Sequence, residues 1–197
     1  MKKTLLTLIT LAAFMVSMTG IAPETYQVDI DSSTLVWTGK KVTGEHTGNI
    51  NLKSGSLDFQ NGTLKGGGFV IDMASITCTD LTDEEYNGKL IGHLKSDDFF
   101  GVAKHSDANF AITKVKKQKD GTYQIKGDLT IKGITNAIEF PATVTQKDGA
   151  VKAVAKIIVD RSKFDIRYGS GSFFEGLGDK MIYDDFELDV TLSAKSI

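Results

Sequence analysis

Residues 127–144, GDLTIKGITNAIEFPATV, constrain the fold more than any other stretch. Tyr123, Ile125, Leu129 and Ile131 fall on one side of an extended chain, with Gly127 among them; Gln124, Lys126, Asp128, Thr130 and Lys132 fall on the other. That period-two alternation describes a strand with one apolar and one wet face. Gly133 interrupts it, and a second run follows with Ile138, Phe140, Ala142 and Val144 on the apolar side. Two amphipathic strands and a turn carry no group suited to catalysis. They build a wall, and the question for the chain is what the wall encloses.

The same alternation recurs along most of the chain. Tyr26, Val28 and Ile30 alternate, then Leu35 and Trp37; Gly48, Ile50 and Leu52 share a face, as do Leu57 and Phe59. Asn61-Gly62 is a strong hairpin signal, and further hairpins are expected at Asp120-Gly121 and Asp148-Gly149. Gly66-Gly67-Gly68 predicts a sharp bend or a close backbone approach before Phe69, Ile71 and Met73. Val151, Ala153, Ala155, Ile157 and Val159 form another row, and Phe186, Leu188, Val190 and Leu192 the last. Between Val159 and Ile166 the apolar phase shifts from odd to even positions, which predicts a bulge near Ser162. Arg161 then turns toward one end of the sheet and meets a carboxylate, as an ion pair or as a contact to a ligand head group.

One segment is helical. Thr82-Asp83-Glu84-Glu85 reads as a capping box with Thr82 at the N-cap, and the helix is expected from about Asp83 to His93 or Leu94. The sum is an all-β domain of about eight antiparallel strands, closed as a barrel or packed as two sheets, with a short helix at one rim. Twenty glycines against two prolines suit many short strands and turns. The formal charge of −2 and the lack of a basic patch argue against a nucleic-acid partner. The one lysine cluster, Lys114, Lys116, Lys117 and Lys119, runs into Asp120-Gly121 and reads as a solvated hairpin tip.

Residues 1–22 read as a secretory signal peptide: Lys2 and Lys3, an apolar run from Leu5 to Val16, then small residues to Ala22. Residues 23–197 then form one exported domain. The single Cys78 excludes an intramolecular disulfide and is expected as a small apolar side chain. His93, His105, Asp97 and Asp98 are the residues a metal or hydrolytic site would draw on, but their spacing matches no ligand motif, so neither a metal nor a catalytic residue is assigned.

Five segments in order resemble the YceI-like family: YQVDIDSSTLVWTGKKVTGEHTG (26–48), HLKSDDFF (93–100), GDLTIKGIT (127–135), DRSKFDIRYGSG (160–171) and LGDKMIYDDFELDVTL (177–192). The loop 101–107 departs from the family pattern: Gly101 follows Phe100 where an acidic residue is common, and no proline precedes the next strand. The resemblance implies an elongated, lipocalin-like eight-stranded antiparallel β-barrel in an exported, periplasmic bacterial protein. It also implies that a polyisoprenoid, such as the tail of an isoprenoid quinone, or another long apolar lipid lies in the bore. It brings no catalytic residues and no cofactor. Candidate ligand-lining residues are Trp37, Ile50, Phe59, Phe69, Ile71, Phe99, Phe110, Leu129, Ile131, Ile157 and Phe164, each of which would serve a solid core equally well. Phe173 and Phe174, in the apolar-rich loop 169–178, are added as a buried lid or, alternatively, a gate for a lipid tail. Transient contact with a membrane fits such a carrier, and a dimer is left open. The competing readings are a hydrolase using His93 or His105 with a carboxylate, and a ligand-free structural or protein-binding barrel.

Overall fold

The computed structural model describes residues 23–196, so the leader read over residues 1–22 lies outside the described residues. The strands are β1 (Glu24–Val28), β2 (Thr34–Lys41), β3 (Gly44–Gln60), β4 (Thr63–Asp72), β5 (Asp107–Lys117), β6 (Tyr123–Ile131), β7 (Ile134–Lys147), β8 (Ala150–Asp160) and β9 (Ile182–Ser196), with one helix, α1 (Glu84–Lys95). Strands β2 to β9 run antiparallel to their neighbours, and the β3–β4 pairing closes the ring. β1 and β2 share one strand position between β3 and β9. β2 pairs the early part of β3, through Leu35 and Ile50, and β1 the late part, through Tyr26 and Leu57. The result is the expected eight-stranded barrel, its first strand broken at residues 29–33.

Local sequence sets the turns. Asn61-Gly62, Lys132-Gly133 and Asp148-Gly149 each place two successive residues at positive φ, the two-residue hairpin geometry that matches strand twist. The β5–β6 turn is wider, with the Gln118 N–H donating to the Thr122 carbonyl. β7 pairs with β8 only from Ala142 and Ala155 outward; over residues 134–141 it pairs with β6 alone. Pro141, which has no N–H to donate, sits at this fork.

The two ends of the barrel differ. One end is packed solid by Tyr26, Leu57, Phe59, Leu64, Tyr123, Val151 and Ala194, with Tyr26 edge-on to Phe59 at 5.2 Å. The other is covered by residues 73–106, a long excursion between β4 and β5 that includes α1. Its N-cap is Asp83, whose carboxylate accepts the Glu85 and Tyr86 N–H groups, and not Thr82. Aspartate is the stronger cap and lies one residue closer to the helix. α1 turns Leu90, Ile91 and Leu94 toward the core, while Tyr86 is exposed. The phase shift near Ser162 is also a turn and not a bulge. β8 ends at Asp160, whose carboxylate accepts the Ser162 N–H and starts a 3₁₀ turn over Arg161–Phe164. A side chain that captures a neighbouring N–H competes with the strand ladder and ends it.

Three strands are clamped on the outside by Glu187 of β9, which accepts from Lys40 of β2 at 2.8 Å and from Lys156 of β8 at 2.7 Å. Hydrogen bonds from Lys156 and Lys40 hold the Glu187 carboxyl at about 2, below its ordinary 4.5. A depressed folded-state value means stability that is complete above about pH 4.5 and fades as pH falls toward 2. The expected result is that the stability gap between wild type and Glu187→Gln, read by urea unfolding at a series of pH values, narrows over that window. A gap that stays constant with pH would assign the clamp to hydrogen bonding without charge.

Candidate functional site

The inward rows of the strands do not fill the barrel. Two chambers lie end to end along its axis, each with about 820 Å³ of atom-free space, the part open at its mouth included. Leu35, Ile71, Leu129 and Leu188 border both and form the waist between them. Every residue lining the lower chamber is Leu, Ile, Val, Ala or Phe. With no polar partner on the wall, such a space suits hydrocarbon and not ordered water.

Gly127 shows how the wall is kept thin. A Cβ there would stand 2.3 Å from Cζ of Phe110, so only glycine lets the Phe110 ring pack this close to β6. Phe69 stacks beside it, with centroids 6.4 Å apart. Both rings line the lower chamber.

The upper chamber, under the 73–106 cover, also presents an apolar wall; Arg161 is buried beside it, and Tyr183 and Asp185 of β9 border it from exposed, outward-facing positions. Arg161 is 2% exposed. It donates to the carbonyls of Ile166 at 2.8 Å, Ile182 at 3.1 Å and Tyr183 at 3.2 Å, and lies 3.5 Å from the Asp184 carboxylate and 5.4 Å above the Phe99 ring. The expected ion pair is therefore present, with three backbone carbonyls as its main partners. Burial pushes the Arg161 pKa down, and Asp184 and Asp160 oppose that.

The candidate residues divide by place. Phe69, Phe110 and Ile157 line the lower chamber; Trp37, Ile50, Phe99 and Ile131 line the upper; Ile71 and Leu129 line both. Phe59 and Phe164 do not line either. Phe59 is consumed by the packed end against Tyr26, and Phe164 is buried at the close of the 3₁₀ turn, 1% exposed. Phe173 and Phe174 are not a buried lid. They are 39% and 50% exposed, on a loop whose Arg167 guanidinium lies over the Phe173 ring. Neither residue borders either chamber. Leu35, Phe140 and Leu188, which also line the space, belong to inward rows legible in the sequence.

His93 and His105 do not form a catalytic pair with a carboxylate. His93 packs edge-on against Tyr168 at 4.3 Å and Phe99 at 5.7 Å, and Asp97 is bound by Lys104 at 2.6 Å. Among the described residues the one histidine hydrogen-bonded to a carboxylate is His46, to Asp80.

The comparisons agree with this architecture. The YceI-like domain matches residues 26–194. A UPF0312 protein of Ectopseudomonas mendocina is 33% identical over 104 residues, 47% of this chain and 54% of that one. One from Pseudomonas putida is 45% identical over 51 residues, 26% of this chain and 27% of its own length. The chain thus spans about half or less of the length of these curated relatives. Among solved structures, Burkholderia cenocepacia BcnA is 22% identical with a TM-score of 0.67, covering 85% of this chain and 99% of its own. A polyisoprenoid binding domain from Saccharophagus degradans is 14% identical with a TM-score of 0.63, covering 87% and 98%. Both share the fold. With a closed eight-stranded barrel, an apolar interior and a domain match over nearly all of the described residues, the chain belongs to the YceI-like family.

Proposed function

We propose that the protein is a non-catalytic periplasmic carrier that holds a polyisoprenoid or a similar long apolar lipid in the barrel. The observation that carries this reading is the continuous apolar interior. The lower chamber is lined by aliphatic and phenylalanine residues alone, and the upper one continues it with an apolar wall. A long apolar tail suits that arrangement, running from one chamber past the waist into the other. Burying each CH₂ contributes about 0.8 kcal/mol, so a long tail needs no strong polar contact to be held. The leader-like sequence of residues 1–22 supports export. Exposed Tyr168, Phe173 and Phe174 on one surface supply a face for touching a membrane during loading.

Organic extraction and mass spectrometry of the exported protein test the reading. The expected result is one isoprenoid lipid per chain, and uptake of the same lipid from vesicles by delipidated protein. A protein that comes out empty and takes up no isoprenoid from vesicles would refute it.

A further inference from the structure

Away from the bore, three side chains from distant parts of the sequence converge at the rim. His46 Nδ1 lies 2.8 Å from Asp80 Oδ2, and Cys78 Sγ lies 3.2 Å from Asp80 Oδ1. All three donor atoms fall within 4.8 Å of one another, and among the described residues no other group of three does so. We propose that His46, Cys78 and Asp80 bind a single borderline-to-soft divalent transition-metal ion of the Zn²⁺ class.

The backbone builds the cluster. Residues 76–80 run along β3: the Thr77 N–H donates to the Asn49 carbonyl and the Thr79 N–H to the Thr47 carbonyl, each at 2.9 Å. Residues two apart on an extended segment share a face, so Cys78 and Asp80 point the same way, as do Gly48 and His46 on β3. Gly48 sets the approach. A Cβ there would stand 1.8 Å from the Thr77 carbonyl oxygen, so any other residue would push the segment off β3 and separate Cys78 and Asp80 from His46. The Trp37 indole N–H donates to that same carbonyl at 2.9 Å and fixes it from the other side.

The donors suit such an ion. One imidazole nitrogen, one thiolate and one carboxylate make a three-ligand set with a fourth position left for water. Softness and ligand type favour Zn²⁺ over Mg²⁺ or Ca²⁺, which prefer all-oxygen shells. Support from behind is already in place: the Thr47 N–H donates to Asp80 Oδ1 at 2.9 Å, and the Asn87 amide donates to the Cys78 carbonyl at 3.0 Å. Groups of this kind orient ligands and hold their charge state. Burial opposes ionisation of Asp80, yet hydrogen bonds from His46, the Thr47 N–H and the Cys78 thiol outweigh it and hold the carboxyl at about 2. Burial, aided by Asp80, pushes the Cys78 thiol up, so the metal-free site holds a thiol that donates to a carboxylate. Metal binding exchanges that proton: the S–H bond breaks, an S–metal bond forms, and one H⁺ passes to solvent. His46 and Asp80 keep 29% and 31% of their side chains exposed, which gives an ion a way in while Cys78 forms the buried back wall. The ion would staple the 73–106 cover to β3 just outside the upper chamber, since Ile50 and Ile76, the next residues inward on the two segments, line that chamber. The assignment is independent of the lipid.

The test is titration of reduced, chelator-treated protein with Co²⁺ and then Zn²⁺. The expected result is one equivalent of Co²⁺ with a thiolate-to-cobalt charge-transfer band, lost on adding Zn²⁺. Cys78→Ser, nearly isosteric, should abolish the band and weaken Zn²⁺ by about a hundred-fold while the fold, read by circular dichroism, persists. His46→Gln, on the rim, should weaken binding by roughly tenfold and keep the band at saturating Co²⁺. Wild-type protein without the band, or Zn²⁺ affinity equal in wild type and both variants, would overturn the site and leave the three residues as a hydrogen-bonded brace.

Discussion

Replacing Arg161 with methionine should cost about 3–5 kcal/mol of folding stability, the range seen when one partner of a buried charge pair is removed. Methionine fills much of the space but donates nothing. The carbonyls of Ile166, Ile182 and Tyr183 lose their shared donor, and each buried acceptor left unpaired carries a desolvation cost. Asp184 makes the loss worse. Its Oδ1 is buried with no hydrogen-bond partner among the described residues, and the guanidinium 3.5 Å away is what compensates its charge. Lysine should rescue poorly, because one ammonium cannot present a planar fork to three carbonyls. Urea unfolding should show a lower midpoint at an unchanged slope. A loss below about 1 kcal/mol would mean that water replaces the guanidinium. Lipid affinity measured on the same variant separates two roles for this residue. A brace loses stability and keeps the tail; a head-group contact loses affinity first.

The limits of the sequence are physical ones. Period-two rows specify which face of a strand is apolar, and they placed Phe69, Phe110, Leu129 and Ile157 on the inner wall. They carry no information on whether facing rows meet. Phe59 and Phe110 look alike in sequence, yet Phe59 meets Tyr26 where β1 closes one end, while Phe110 packs against Gly127 and lines the chamber. That difference depends on which strands share a position in the ring, a long-range property. The ion pair of Arg161 was legible because the apolar phase breaks there; the three carbonyls it serves, of Ile166, Ile182 and Tyr183, come from two segments that meet only in the fold. The cluster of His46, Cys78 and Asp80 was not legible, because Gly48 reads as an ordinary strand glycine until Thr77 is seen lying against it. The loop with Phe173 and Phe174 failed in the opposite direction: apolar residues predicted burial, and both are exposed.

Ala153→Trp should leave the barrel folded and reduce its affinity for a long apolar lipid by roughly a thousand-fold. Ala153 sits on β8 facing the lower chamber, paired with Val144 on one side and Leu192 on the other, all three lining that space. Overpacking a filled core costs about 1–3 kcal/mol, but here the indole enters space that no side chain occupies, so the stability cost should fall at or below the low end of that range. An indole takes about the room of one five-carbon isoprene unit or more. Displacing one unit forfeits about 4 kcal/mol at ~0.8 kcal/mol per carbon, and 1.4 kcal/mol is tenfold in affinity. The measurement is lipid recovered from purified Ala153→Trp against wild type, with unfolding followed in parallel. If the variant carries a full complement of lipid, the tail does not reach the lower chamber. The ligand would then lie above the waist of Leu35, Ile71, Leu129 and Leu188, and the wholly apolar lower chamber would be packing left incomplete.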